Sequence, residues 1–233
     1  MNKIKIALFV FVLASILDIF GIIFSMPLLV YIFKPFIIFS LLFLYVFSLP
    51  KRIKWYVIAL EFSFFGDVLL LFSGVLFFMG RLVSFLIAHF LFIKIVISRI
   101  KEVNFLKALF SAIPFLAVFG LLIFTLKDSL YEMLWPVIIY GLTISTFGAV
   151  SLLDFLNKKS KKSILMLFGA VIFMISDSLL AINKFYNPAH ILEIFVMITY
   201  VLSQYFIFRS MAQKNAMQKS QDVFRNKVKF TEG

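Results

Sequence analysis

The sequence predicts an all-α membrane protein, a polytopic bundle of eight transmembrane helices. Of its 233 residues, 63% are hydrophobic and 33 are phenylalanine, which is more apolar surface than a soluble domain could cover with polar groups. The mean hydropathy of +1.08 agrees with this conclusion. The apolar residues are also grouped into runs of about 20, the length that an α-helix needs to cross the hydrocarbon core of a bilayer.

Charged residues, proline and glycine divide the chain into these runs. The first run follows a short basic start, as in a signal peptide, but it continues to Phe24 without a cleavage pattern of small residues, so we interpret it as a retained helix. The later breaks are, in order, the residues before Pro27, Pro50 with Lys51 and Arg52, Ser73 with Gly74, the charged segment 99–102, Lys127 with Asp128, the basic segment 158–162, and the segment 183–188 with its Asn-Pro pair. The predicted spans are residues 4–24, 27–49, 54–72, 75–98, 105–126, 130–156, 163–182 and 189–208.

The distribution of lysine and arginine orients the bundle. Basic residues concentrate in cytoplasmic loops, and with the N-terminus inside only Arg81, Lys127 and Lys184 fall on the outer side. We therefore predict an integral protein of the plasma (inner) membrane with both termini in the cytoplasm. Residues 1–211 form the predicted transmembrane domain, and residues 212–233 a basic, disordered tail. The net charge of +12 is interpreted as this topology signal plus attraction to anionic lipid headgroups, so membrane lipid is a predicted partner and nucleic acid is not.

The chain contains no cysteine and two histidines. Disulfides, thiol catalysis and cysteine-ligated metals are therefore excluded. A catalytic zinc usually takes three protein ligands, more than His89 and His190 supply. No metal and no cofactor is predicted.

Two aspartates stand inside apolar runs: Asp67 in EFSFFGDVLLLF and Asp177 in GAVIFMISDSLLAI. The two segments align, with a small residue, Gly66 or Ser176, before each aspartate. Their offset is close to half of the helical region, as two parallel four-helix repeats would give, although leucine-rich helices also resemble one another by chance. A charge at membrane depth is costly and normally faces the interior of a bundle or a wet cavity.

Helical spacing directs further polar side chains towards the same interior. Steps of three and four residues place Asp67 and Asp177 on stripes of small or polar residues suited to close helix packing. The other inward-directed polar residues are Lys34 in the second span, Tyr140 and Thr143 in the sixth, and Glu193, Tyr200 and Gln204 in the eighth. We predict that these groups outline a pocket in the outer and middle parts of the membrane.

Structural roles are the alternative for each of these residues. Lys34 with one of the two aspartates would form an ion pair that fixes helix register. His89 would be an interior histidine hydrogen-bonded to a carbonyl, and Tyr200 with Gln204 would hold helices together. Asp18 and Glu61 have no evident partner in the sequence.

At this point the chain resembles the YhhN-like lysoplasmalogenase family, integral membrane proteins with eight predicted spans. The matching pieces are Lys34-Pro35, Gly66-Asp67, Gly80 followed by Phe85 and Ala88-His89, GAVIFMISDSLLAINKF with Ser176, Asp177 and Asn183, and ITYVLSQ with Tyr200 and Gln204. Their order and spacing cover nearly the whole chain. One departure is Phe92, where the family commonly has a tyrosine, so a proton-relay hydroxyl is missing there.

The resemblance implies an activity and its site. Animal relatives cleave the vinyl ether bond of lysoplasmalogens to a fatty aldehyde and a glycerophospho-base, so a lysophospholipid is the implied substrate. The family's catalysis is attributed to two aspartates, which are Asp67 and Asp177 in this chain. We expect Asp177 to act as the acid and Asp67 as the base. The residues expected to orient water or lipid are Lys34, His89, Tyr140, Ser176, Asn183, Tyr200 and Gln204.

The chemistry of the reaction suits a pair of carboxyls. Vinyl ether hydrolysis needs an acid that is still protonated near neutral pH, an anion to stabilise an oxocarbenium ion and a positioned water, as glycoside hydrolysis does. Two other functions remain open: a proton-coupled transporter, in which the aspartates relay protons, and a non-catalytic lipid-binding protein. Against the transporter, the spans lack the paired Gly or Pro interruptions of broken-helix sites.

Overall fold

The computed structural model describes residues 3–213, and every regular element in this part of the chain is helical. The eight α-helices are α1 (Lys3–Ile23), α2 (Pro27–Ser48), α3 (Lys54–Leu70), α4 (Val75–Ile97), α5 (Phe105–Leu130), α6 (Leu134–Lys158), α7 (Lys161–Phe185) and α8 (His190–Ala212), with a 3₁₀ turn at Tyr131–Met133. The predicted all-α class is confirmed. The predicted tail lies, from residue 214 on, outside the described residues.

The predicted number of spans is not confirmed. Within residues 3–213, six helical stretches are long and apolar enough to cross a membrane, and one of them is the 54-residue stretch Phe105–Lys158. That stretch contains α5 and α6, which the 3₁₀ turn joins without a polar loop. α3 has 17 residues and is not among the six, because it ends at Leu70 and is shorter than each of them.

α5 and α6 fold back on each other as an antiparallel pair. A Cβ added to Gly141 would lie 2.6 Å from the ring of Phe119, and one added to Gly148 would lie 2.3 Å from the ring of Phe115. A later residue of α6 thus contacts an earlier residue of α5, which is the arrangement of antiparallel helices. Glycine lets the two helices approach until a ring of one covers the backbone of the other.

Neighbouring helices in the sequence form the closest pairs: α1 with α2, α3 with α4, α5 with α6, and α7 with α8. α6 also packs on α4 and α7, and α8 packs on α1 and α2. Several of these pairs, such as α2 with α3 and α6 with α7, correspond under a shift of four helices. Consecutive helices are usually neighbours in space, so this correspondence does not test the duplication suggested by the sequence, which stays a prediction.

The core of the bundle is aromatic and aliphatic, and the outer surface is apolar as well. The largest fully buried side chains include Tyr45, Tyr56, Phe92, Phe147 and Phe173. Many buried hydroxyls, such as those of Ser63 and Thr143, donate to the carbonyl one turn earlier in their own helix. These hydroxyls are satisfied locally, which leaves few polar groups in the interior for interactions between helices.

Candidate active site

Asp177 on α7 accepts a hydrogen bond from Tyr140 on α6. The phenolic oxygen of Tyr140 lies 2.6 Å from Oδ2 of Asp177. The aspartate is half-buried. A short hydrogen bond between a hydroxyl and a carboxylate is among the stronger ones in proteins. Tyr140 therefore fixes the orientation of the Asp177 carboxyl.

Asp67 on α3 has a corresponding arrangement with Tyr200 on α8. The Tyr200 hydroxyl donates to Oδ2 of Asp67 at 2.7 Å, and the aspartate is 2% exposed. Each of the two predicted aspartates thus receives a tyrosine hydroxyl from another helix.

The small residues that precede the aspartates allow this close packing. A Cβ on Gly66 would lie 2.6 Å from the ring of Phe85 on α4. Ser176 donates through Oγ to the carbonyl oxygen of Val196 on α8 at 2.9 Å. Ser176 therefore ties α7 to α8.

Arg81 on α4 is a further candidate residue, which the sequence placed on the outer side without a role. It is 8% exposed, and its guanidinium lies 5.9 Å from the ring of Phe78 and 5.7 Å from that of Phe85. Its positive charge acts on both Asp67 and Asp177. The spacing in the sequence could have indicated its burial. Arg81, Phe85 and His89 are four residues apart and therefore share one face of the helix.

A small cavity lies beside Asp177, between α4, α6 and α7. Its volume is about 40 Å³, enough for a small number of water molecules. Its polar wall consists of Arg81, Tyr140, Asp177 and Lys184. The other lining residues are Phe78, Leu82, Phe85, Val137, Leu180, Ala181 and Phe185.

Asp67 does not line this cavity. Phe85 lines it and also packs its ring on Gly66, next to Asp67. The rings of Phe85 and Phe173 contact that of Tyr200, with centroids 6.1 and 5.8 Å apart. The two aspartates are thus connected through Arg81 and aromatic rings, whereas the sequence predicted that both would face one hollow.

Lys34 pairs with Asp18 and with neither predicted aspartate. Its Nζ lies 3.1 Å from Oδ2 of Asp18 and 3.2 Å from the sulfur of Met197. The ion-pair alternative for Lys34 therefore had the wrong carboxylate, because α1 and α2 form a hairpin in which Gly21 packs on Val30. That register brings Asp18 opposite Lys34. The charge of Lys34 still acts on Asp67.

His89 is fully buried in an aromatic surrounding. Its Nδ1 lies 2.7 Å from the carbonyl oxygen of Phe85, and its Nε2 has no partner among the described residues. The rings around it are those of Phe92, Tyr140, Phe147 and Phe173. The carbonyl bond is the one that the structural alternative for His89 required. Its edge-to-face contact with Tyr140 connects it to the site.

The remaining predicted residues lie outside the cavity. Gln204 is fully buried one turn after Tyr200, and its amide interacts with the hydroxyl of that tyrosine without a hydrogen bond of standard geometry. Asn183 accepts from the backbone N–H of Ala189 at 2.7 Å and so closes the α7–α8 loop. Glu193 is exposed in the first turn of α8, which corrects the prediction that it points inward.

Comparison with known proteins gives one match. No curated protein and no solved structure matches the chain. The model of the YhhN family matches residues 29–211, which include Lys34, Arg81, Tyr140 and both tyrosine-bound aspartates. The resemblance inferred from the motifs is thereby confirmed: the chain belongs to the YhhN family.

Proposed function

We propose that this protein is a membrane-embedded hydrolase of the lysoplasmalogenase type. Its substrate would be a lysoplasmalogen-like lipid, cleaved at the vinyl ether bond to a fatty aldehyde and a glycerophospho-base. The observation that carries the proposal is the Tyr140–Asp177 pair, a tyrosine-held carboxyl in the wall of a small and mostly apolar cavity. Membership of the YhhN family supports the same activity.

The reaction begins with an acid. A proton added to the alkene carbon remote from the ether oxygen gives an oxocarbenium ion, and water then adds to the cationic carbon. The resulting hemiacetal collapses to aldehyde and alcohol. A carboxyl group next to an apolar cavity is suited to the first step, because general acids act through direct contact with the atom that takes the proton.

Asp177 is the group that we assign to this proton transfer. In its protonated form it donates to the alkene carbon, and as a carboxylate it then accepts a proton from the attacking water, so the carboxyl is restored at the end of the cycle. The hydrogen bond from Tyr140 holds one carboxyl oxygen and leaves the other for this exchange. The cavity has room for the water.

Asp67 takes an indirect role in this proposal. It was expected to act as the base, but it lies outside the cavity lining and is bound to Tyr200. Its negative charge and that of Asp177 both act with Arg81. We therefore assign Asp67 as a positioning residue that offsets the charge of Arg81 behind the cavity.

The test is aldehyde release by purified protein in detergent from matched 1-alkenyl, 1-alkyl and 1-acyl lysophospholipids. The alkenyl lipid alone should yield aldehyde, because only its ether carbon becomes an oxocarbenium ion on protonation. Asp67→Asn should retain part of the activity. Release of fatty acid from the acyl lipid, with no aldehyde from the alkenyl lipid, would replace the proposal with an esterase.

A proton-coupled carrier is the second candidate, and one observation favours it. The Asp18–Lys34 pair is buried, and Oδ1 of Asp18 has no partner among the described residues. Buried ionisable groups of this kind occur in proton relays of transporters. Proteoliposomes with a pH-sensitive dye inside would show proton flux that Asp18→Asn removes if the protein is a carrier.

A further inference from the structure

Arg81 is a buried cation without an anionic partner within bonding distance. Its Nε is inaccessible and unbonded, and no other N–H of the guanidinium donates to an atom of residues 3–213. The ion pairs of this part of the chain, Lys34–Asp18 and Lys158–Asp154, do not include it. A buried charge is costly unless it is paired and hydrogen-bonded, so Arg81 favours a partner that accepts hydrogen bonds.

The neighbouring carboxyls do not supply this partner. Asp67 and Asp177 act on Arg81 through their charge, but their close hydrogen bonds come from Tyr200 and Tyr140. The fork of donors that a guanidinium presents to a planar or tetrahedral anion is therefore unused. Since Arg81 lines the cavity, an anion that enters the cavity reaches it.

A second cation lies at the rim of the same cavity. Lys184 is exposed in the last turn of α7 and lines the cavity. Its Nζ lies 5.3 Å from the centre of the Phe78 ring, the ring that also faces Arg81. Of the lining residues, two carry positive charge and one, Asp177, carries a carboxyl. With Asp67 behind the cavity counted as well, positive charge is in excess when Asp177 is protonated, the form in which it acts as the acid, and an anion is then favoured.

We propose that Arg81 and Lys184 form a subsite for the phosphate of a lysophospholipid. The inference rests on the proposed function, because the phosphate would belong to the lipid that Asp177 protonates. The cavity has room for a small number of water molecules, so the lipid would widen it on binding, with the phosphate on Arg81 and the ether carbon at Asp177. Arginine suits this task because its donors match phosphate oxygens two at a time.

Binding can be measured without turnover, which separates this proposal from the catalytic one. The probes are a 1-alkyl lysophosphocholine, which has no vinyl ether, and a 1-alkylglycerol of the same chain length, which has no phosphate. Their affinities for the full-length protein in detergent are measured by isothermal titration calorimetry. Arg81→Gln should weaken binding of the phosphate probe by about tenfold or more, as expected for a lost charge-assisted hydrogen bond, and leave the alkylglycerol unaffected.

The other substitutions provide matched comparisons. Lys184→Gln should weaken binding of the phosphate probe less than Arg81→Gln, because Lys184 is exposed. Lys127→Gln is the control, since Lys127 is also an exposed cation near an aromatic ring at the outer end of its helix, but it lies outside the cavity. If Arg81→Gln does not fold, Arg81→Lys replaces it in the same comparison of the two probes. The wild type alone also tests the subsite, because it should bind the phosphate probe about tenfold more tightly than the alkylglycerol.

Three results would overturn the subsite. Equal weakening of both probes by Arg81→Gln would make Arg81 a structural residue. Equal affinity of the wild type for both probes would remove the role of phosphate. Displacement by inorganic phosphate as effective as by the lipid probe would assign the site to a free anion. Arg81-dependent binding without aldehyde release would contradict the proposed function and leave the subsite standing.

Discussion

Tyr200 and Asp67 are 133 residues apart in the sequence, and the hydroxyl of the first lies 2.7 Å from the carboxyl of the second. The Tyr140–Asp177 pair repeats this contact at 2.6 Å. One pair lines the cavity and the other lies behind it. The two similar contacts therefore have different expected consequences when they are removed.

Tyr140→Phe should slow aldehyde release more than Tyr200→Phe does. The first substitution frees the Asp177 carboxyl at the cavity wall but keeps the acid itself, so we expect a loss of roughly tenfold to a hundredfold in kcat, at or below the lower limit of what general acid catalysis contributes. The second substitution frees Asp67, which lies outside the cavity and affects it only indirectly. Initial rates at saturating lipid measure the difference, with thermal unfolding of each variant as the control for folding. A greater loss in Tyr200→Phe would transfer the proton donor from Asp177 to Asp67.

The Asp18–Lys34 pair gives a prediction about stability. Because both groups are buried, removing one partner leaves an uncompensated polar group and should cost about 3–5 kcal/mol. Lys34→Met and Asp18→Leu should each lower the unfolding temperature, whereas the double variant should recover most of the loss. Unfolding in detergent, followed by circular dichroism, measures all three. Additive losses in the double variant would mean that the two residues do not act as a pair.

Gly66 should tolerate alanine poorly because of the ring of Phe85. The added Cβ would lie 2.6 Å from that ring, and overpacking of this kind costs about 1–3 kcal/mol. The control is Gly120→Ala on α5, where nothing lies within 4 Å and alanine improves the helix. Thermal unfolding of the two variants should therefore shift in opposite directions, and an unchanged Gly66→Ala protein would contradict the close approach of α3 and α4.

The route of the proton can be followed with deuterium. Hydrolysis in D₂O should place one deuterium on the aldehyde carbon next to the carbonyl, because the first step protonates the alkene. Mass spectrometry of aldehyde trapped at early times measures this, and unlabelled aldehyde kept in D₂O without protein corrects for exchange. Aldehyde without the label would mean that the bond is cleaved by another reaction.

The sequence indicated the interior groups but not their partners. Asp67, Asp177 and Tyr200 could be recognised because a polar residue in an apolar run is expected to face inward. The partner of Lys34 could not, since it depends on the register between α1 and α2, which the packing of Gly21 on Val30 determines. Arg81 lies within the predicted fourth span, but its charge and the apolar length of that span could not show that its side chain is buried.

The sequence likewise indicated some helix ends and not others. Pro27 and the basic residues after Pro50 indicated the bounds of α2 to within one residue. The link between α5 and α6 was less predictable, because Lys127 and Asp128 continue the helix as far as Leu130. Charged residues near the end of an apolar run can extend into the interfacial region, so the charge pattern alone placed this break too early.

The measurement that bears most directly on the account is the rate of aldehyde release by Asp177→Asn, compared with that of the wild type and of Asp154→Asn. Asp154 is a buried aspartate on α6, roughly 20 Å along the helix from Tyr140, and it is bonded to Lys158. We expect the wild type and Asp154→Asn to release aldehyde and a folded Asp177→Asn to release none above background. Release at the wild-type rate by folded Asp177→Asn would contradict the assignment of Asp177 as the proton donor.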